Sequence, residues 1–239
     1  MVLEKPLSGK IALITGGNRG IGLAIAGRLG KLGARLAISG RNRQALQSAV
    51  GELRSAGFEA VPFVADMMRP DEILGLVEEL HRGMGEIEVL VNNAGLGWFK
   101  PVHEFSECDW DTMVDTNLKA VFLLSKAVVP EMIARGSGSI INISSLAGKN
   151  TFLNGSVYCA SKWGLMGLTG CMAEDLRGHG IRVAAVCPGS VATEFSSHSG
   201  KDPSKLLQAE DVAHAVEMIL TQGPQSFISE IQMRPRAKP

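Results

Sequence analysis

Seven short apolar runs, separated by longer stretches of helical periodicity, constrain this chain more than any other feature. The runs cover residues 11–14, 35–39, 60–64, 89–91, 139–143, 182–187 and 227–231. Helical patterning occupies 21–32, 44–55, 70–82, 109–135 (with a break near Thr116), 158–179 and 209–220. A run with no polar alternation is buried on both faces, the condition of a parallel strand under helices. Strand and helix in alternation build βαβ units, and short right-handed crossovers then favour an α/β, Rossmann-type doubly wound sheet of about seven strands, a three-layer αβα arrangement. The 239 residues read as a single domain, 1–239, since α/β folds of this length need no division. Such sheets bind ligands beyond the carboxyl ends of their strands, so the residues after each run are those that carry function.

After the first run comes Thr15-Gly16-Gly17-Asn18-Arg19-Gly20-Ile21-Gly22, and a helix follows at once. Glycines permit a tight turn and close approach of a pyrophosphate to the backbone. The helix start offers free N–H groups and partial positive charge to that anion. The plainer alternative is a glycine-rich connection with no ligand. The spacing is T-G-x-x-x-G-x-G, with glycines at Gly16, Gly20 and Gly22. It resembles the cofactor signature of the classical short-chain dehydrogenases/reductases, in which Gly16, Asn18, Arg19, Gly20, Ile21 and Gly22 would lie along the dinucleotide.

The resemblance extends along the chain from about Gly9 to Ile231. NAD-preferring relatives place an acid after the second strand to accept from the ribose hydroxyls. Here the stretch is Ile38-Ser39-Gly40-Arg41-Asn42-Arg43, with no acid. Arg41 first, and Arg19 second, suit a ribose 2′-phosphate through paired donors, and the family associates either position with NADP(H). Arg43 is a neighbour whose direction the sequence leaves open. The resemblance implies that Asp66, with Met67 beside it, meets the adenine; the alternative is a cap for the helix at Pro70. Asn92-Asn93-Ala94-Gly95 matches the family's N-N-A-G, which places Asn93, Ala94 and Gly95 on the adenosine side or in a structural role. Pro188-Gly189-Ser190-Val191-Ala192-Thr193 matches P-G-x-V-x-T, implying that Pro188, Gly189, Val191 and Thr193 border the nicotinamide.

Hydride reduction of a carbonyl creates an alkoxide, so the site needs a proton donor and a second polarising group. Tyr158 and Lys162 stand four residues apart, on one helical face, and match the family's Y-x-x-x-K. Alone that pattern is weak. Ser145, directly after a run and 13 residues before Tyr158, sits at the family's serine spacing, with Ser144 as its neighbouring competitor. Asn117 matches the family's helix asparagine. The resemblance implies that Tyr158 is the general acid/base and that Lys162 binds the nicotinamide ribose and lowers the tyrosine pKa. It further implies that Ser145 donates to the substrate oxygen and that Asn117 holds water in a proton relay.

The resemblance thus points to an NADP(H)-dependent oxidoreductase for a small-molecule carbonyl or alcohol. The alternatives are a 3-oxoacyl-thioester reductase and a non-catalytic NADP(H)-binding protein. The tail Glu230-Ile231-Gln232-Met233-Arg234-Pro235 resembles broad-specificity hydroxy-acid and carbonyl reductases more than acyl-carrier-protein reductases. Residues 190–207 fall in the substrate-loop region, where Phe195, His198, Leu206 and Leu207 are candidates for the pocket wall. Trp98 and Phe99 border the cleft or simply pack. The 24 basic and 24 acidic residues cancel, which argues against nucleic acid or an anionic membrane as partner. The five histidines are scattered, so no metal is expected. Four cysteines without CxxC spacing and a start with no long apolar core suit a cytoplasmic protein. No G-x-S-x-G elbow or G-x-x-x-x-G-K-S/T loop is present, which removes the hydrolase and kinase readings. The family commonly forms dimers or tetramers through helices equivalent to 109–135 and 158–179, whose apolar faces suit either an interface or the core.

Overall fold

A computed structural model describes residues 5–195 and 202–237. One sheet runs through it, with all strands parallel: β1 (Ile11–Thr15), β2 (Arg35–Gly40), β3 (Ala60–Val64), β4 (Val89–Asn92), β5 (Gly138–Ile143), β6 (Ile181–Pro188) and β7 (Glu230–Met233). Their order is β3-β2-β1-β4-β5-β6-β7. The order reverses between β1 and β4, which opens a crevice beyond the carboxyl ends of those two strands. The helices are α1 (Gly20–Lys31), α2 (Arg43–Ser55), α3 (Pro70–Gly83), α4 (Glu107–Val114), α5 (Ala120–Arg135), α6 (Ser156–Arg177) and α7 (Ala209–Leu220).

Two apolar layers hold the sheet. On one face Ile25 and Leu29 of α1, Leu46 of α2 and Val216 of α7 pack against Ile14, Ile38 and Val186. On the other, Leu80 of α3, Leu124 and Val128 of α5 and Leu176 of α6 pack against Leu13, Leu90 and Ile140. Every residue of β1 is buried, as a strand without alternation requires.

One irregularity falls where the sequence expects it, and one strand differs. The break near Thr116 is a π turn, Asp115–Lys119, between α4 and α5, and such turns cluster at functional sites. The last strand begins three residues later than the apolar pair Phe227-Ile228 suggests. The Ile228 N–H donates to Gln222 Oε1 at 2.7 Å, so that residue is anchored to a side chain and the ladder starts beyond it. Val191 and Leu207 form an isolated bridge at the two ends of the substrate-loop region. His198 lies outside the described residues.

Candidate active site

The glycine turn is built by conformation and close approach. Gly16 (φ +61°) and Gly20 (φ +52°) are left-handed, a region that side chains with a Cβ enter at a cost. A Cβ at Gly22 would run into Gly16 O and stand 2.5 Å from Asn93 Nδ2. The first turn of α1 holds no acid and no side-chain cap, so its N–H groups remain available to an anion.

Thr15, the first residue of the glycine motif and given no role of its own from sequence, joins this turn to β4. Its Oγ1 accepts from the N–H groups of both Asn93 and Ala94 at 3.0 Å. Asn93 Nδ2 donates back to Thr15 O at 2.9 Å and Gly16 O at 3.1 Å. Thr15 was legible in principle as a hydroxyl directly before the glycines. Behind it, Asn92 Nδ2 donates to Asn142 Oδ1 (2.8 Å), and Asn142 Nδ2 donates to Thr169 Oγ1 (2.9 Å). That buried chain links β4, β5 and α6.

A continuous cleft of about 1490 Å3 crosses the carboxyl ends of the strands, larger than the ~300–1,000 Å3 of a typical single-ligand pocket. All the cofactor-binding candidates named from sequence line it, from Gly16 to Thr193, with Ser145, Tyr158 and Lys162. Arg19 and Arg41 are both on its wall, whereas Arg43 opens α2 and is not. Arg19 Nη1 pairs with Glu194 Oε2 at 2.6 Å, bridging the glycine turn to the substrate-loop region. Asp66 does not cap α3, whose N-cap is Arg69; its Oδ1 accepts from Met68 N at 3.0 Å in a local turn.

The catalytic candidates converge on α6. Tyr158 is 7% exposed and Lys162 5%. Tyr158 and Ser145 share the cleft wall, the serine side chain favouring the tyrosinate, and Ser145 Oγ accepts from Ala147 N at 3.1 Å. Lys162 Nζ donates to Ile143 O at 2.9 Å and lies 5.9 Å from the centre of the Tyr158 ring. Burial pushes the tyrosine hydroxyl up to about 12, against the opposing pull of the Ser145 side chain. Burial also pulls the Lys162 ammonium down to about 8. The sequence expectation had the lysine lowering the tyrosine; here enclosure dominates, and the hydroxyl stays a protonated donor at neutral pH.

Asn117 lies in the π turn, fully buried, and off the cleft wall. Its amide is engaged at both ends. Oδ1 accepts from Leu96 N (2.9 Å), and Nδ2 donates to Leu96 O (2.8 Å) and Ser161 Oγ (3.0 Å). Of the loop candidates, Phe195 lines the cleft, as do Trp98 and Phe99. Leu206 is buried and Leu207 packs on the core, so neither is pocket wall. Phe152 and the tail residues Arg234, Pro235 and Ala237 join the wall without having been foreseen, because only the fold brings 150–154 and the chain end to the crevice. Among the described residues no three His, Cys, Asp or Glu side chains gather as a metal site.

The family model for short chain dehydrogenase matches residues 10–204. The chain belongs to the short-chain dehydrogenase family. It is 40% identical over 190 residues to a gluconate 5-dehydrogenase of Gluconobacter oxydans (strain 621H), covering 80% of this chain and 74% of that one. An uncharacterised oxidoreductase of Staphylococcus aureus (strain MRSA252) is 31% identical over 229 residues, 96% of this short-chain dehydrogenase and 98% of its own length. Among solved structures, a metagenomic short-chain oxidoreductase in complex with NADP superposes with a TM-score of 0.87 at 44% identity, covering 97% of this chain and 100% of that one. An actinorhodin polyketide ketoreductase variant with NADPH gives 0.88 at 33% identity, with 97% of each chain covered.

Proposed function

We propose that this oxidoreductase transfers hydride between NADP(H) and a carbonyl/alcohol pair, acting on the CH–OH group in the oxidative direction. The observation that carries the reading is that Ser145, Tyr158 and buried Lys162 line one cleft whose other end is the glycine turn. The residues fit the cofactor. The uncapped start of α1 and the space kept at Gly22 suit a pyrophosphate, and Arg41 and Arg19 suit a 2′-phosphate where β2 ends without an acid. Asp66, Met67, Asn93, Ala94 and Gly95 would border the adenosine, and Pro188, Gly189, Val191 and Thr193 the nicotinamide. When bound, the reduced nicotinamide supplies two electrons as hydride to the carbonyl carbon.

The chain's own residues do the rest. Ser145 donates to the carbonyl oxygen and holds it beside Tyr158. The Tyr158 hydroxyl gives its proton to that oxygen as the C–O double bond becomes single, leaving a tyrosinate. The Lys162 cation stabilises that anion and contacts the ribose. Asn117 acts as a positioning residue, since its amide is spent on Leu96 and Ser161. We further propose that the chain works as one domain and as a homo-oligomer, in a reducing cytoplasm that keeps its four cysteines free.

The test is NADPH oxidation, with NADH in parallel, against aldehydes, ketones, 3-oxo esters and a 3-oxoacyl thioester. Turnover with NADPH, lost about 10²–10⁴-fold in Tyr158→Phe with NADPH binding kept, is the expected result. Preference for NADH would overturn the roles of Arg41 and Arg19. Binding without turnover on any carbonyl would favour a non-catalytic protein. A best rate on the thioester would favour a 3-oxoacyl-thioester reductase, the kind of reading the polyketide ketoreductase neighbour supports.

A further inference from the structure

The substrate end of the cleft is walled by rings. Phe99 meets the Tyr158 ring edge-on at 5.5 Å between centroids and 87° between planes. Phe195 stands 6.1 Å from Tyr158 on another side. Phe152 packs edge-on against Phe99 at 5.5 Å. The approach is specified by Gly97: a Cβ there would stand 3.0 Å from Tyr158 Cδ2 and 3.2 Å from Phe195 Cζ. A main-chain bond from Lys100 N to Asn154 O (3.0 Å) ties the loop bearing Phe99 to the loop bearing Phe152. Trp98, Phe99, Phe152 and Phe195 all line the cleft and are 41%, 43%, 47% and 42% exposed. Leu153, next in sequence, is 88% exposed. Apolar rings left open around a proton donor are surface awaiting an apolar partner. Of the charged groups on the cleft wall, Arg19, Arg41, Asp66 and Arg234 follow β1, β2, β3 and β7; Lys162 donates to Ile143 O beneath Tyr158, and Glu194, next to Phe195, is engaged with Arg19.

We propose that the substrate is a ketone or aldehyde carrying an aryl or extended alkyl group, which stands between Phe99, Phe152 and Phe195 while its oxygen meets Tyr158 and Ser145. A polyhydroxylated carbonyl, such as the sugar-acid ketone that the gluconate 5-dehydrogenase name implies for that relative, would have to desolvate those of its hydroxyls that face the rings of Phe99, Phe152 and Phe195, where only neighbours such as Asn150 and Thr151 offer partners. The inference rests on the carbonyl-reduction reading and deepens it. The electron balance is unchanged: NADPH is oxidised, the carbonyl carbon gains the hydride and its oxygen gains the Tyr158 proton.

The experiment uses the full chain with NADPH and four carbonyls: propanal, 2-octanone, propiophenone and 5-oxogluconate. The expected result is kcat/KM for propiophenone and 2-octanone at least about tenfold above that for 5-oxogluconate. Phe152→Ala should lower the propiophenone-to-propanal ratio of kcat/KM about tenfold, and Phe152→Leu should lower it less. Equal or better use of 5-oxogluconate, or an unchanged ratio in Phe152→Ala, overturns the proposal. A second readout needs no turnover: calorimetric titration of 1-phenylethanol and of gluconate into the NADP-saturated protein. Binding of 1-phenylethanol that weakens in Phe152→Ala supports the aromatic wall even if no carbonyl is reduced, in which case the hydride-transfer reading alone fails. Binding of gluconate in preference to 1-phenylethanol overturns it.

Discussion

Burial acts on Tyr158 and Lys162 in opposite senses because it penalises the charged form of each. The hydroxyl is pushed up to about 12 and the ammonium down to about 8. At neutral pH the pair is therefore a protonated tyrosine beside a protonated lysine. As pH rises, Lys162 discharges first, at about 8. In the proposed mechanism reduction would leave a tyrosinate behind, and without the cation that anion would be unsupported. NADPH-dependent kcat/KM should accordingly fall as pH rises through about 8. In Lys162→Met the rate should be lower by about 10²-fold or more and show no such limb. Profiles of both proteins from about pH 6 to 10, bracketing the lysine's ordinary and lowered values, check this; a wild-type rate flat to the alkaline end would remove Lys162 from the electrostatic role. The spacing of Ser145, Tyr158 and Lys162 was legible in the sequence because it is local to one strand end and one helix. The direction of the tyrosine shift was not, because the burial that raises it comes from the folded surroundings, including the Phe99 and Phe195 rings packed against the Tyr158 ring from distant parts of the sequence. Asn117 shows the same limit: its place in the chain was readable, but not that Leu96 and Ser161 would consume its amide.

Between elements, the polar chain Asn92–Asn142–Thr169 is what an apolar sheet can least afford to break. Asn92 and Asn142 are register partners on β4 and β5, and both are buried. Asn142→Ala would strip the Asn92 amide of its acceptor and Thr169 Oγ1 of a donor. Thr169 Oγ1 keeps its bond to Leu165 O, so the Asn92 amide is the group orphaned, and the variant should lose about 1–3 kcal/mol. The loss would read as a lower urea midpoint with an unchanged m-value; a loss under about 0.5 kcal/mol would show that the chain is not structural. Because β4 runs into Asn93 and β5 into Ser145, KM for NADPH should rise in the same variant. Strands and helices were legible here as runs and periodicity, and the break at the π turn showed as a disturbance near Thr116. The pairing of Asn92 with Asn142 was not legible, since register between segments 50 residues apart is fixed by the whole sheet. β7 was misplaced because Phe227 and Ile228 look like strand residues, whereas Gln222 claims the Ile228 N–H.

At the scale of the molecule, the helices that cover one face of the sheet are apolar on more than one side. α5 turns Ala120, Val121, Leu124, Val128 and Met132 inward, yet Phe122 and Ile133 on its other side are exposed. Neighbouring α6 likewise exposes Trp163, and α4 exposes Trp110. Large apolar side chains exposed on neighbouring helices are the kind of surface that marks association sites. A second copy of the chain would supply cover for them through an isologous contact, in which the same surface meets itself about a two-fold axis. The expected outcome is a dimer or tetramer in sedimentation velocity. Placing charge at the patch, in Phe122→Asp combined with Trp163→Asp, leaves the inward residues of α5 and α6 untouched and should yield a folded monomer. Association stabilises by mass action, so the wild-type Tm should rise with protein concentration while that of the double variant should not. An unchanged sedimentation coefficient in the variant would mean that these helices are not the interface, and a concentration-independent wild-type Tm with monomeric mass would mean that the patch stays open to solvent.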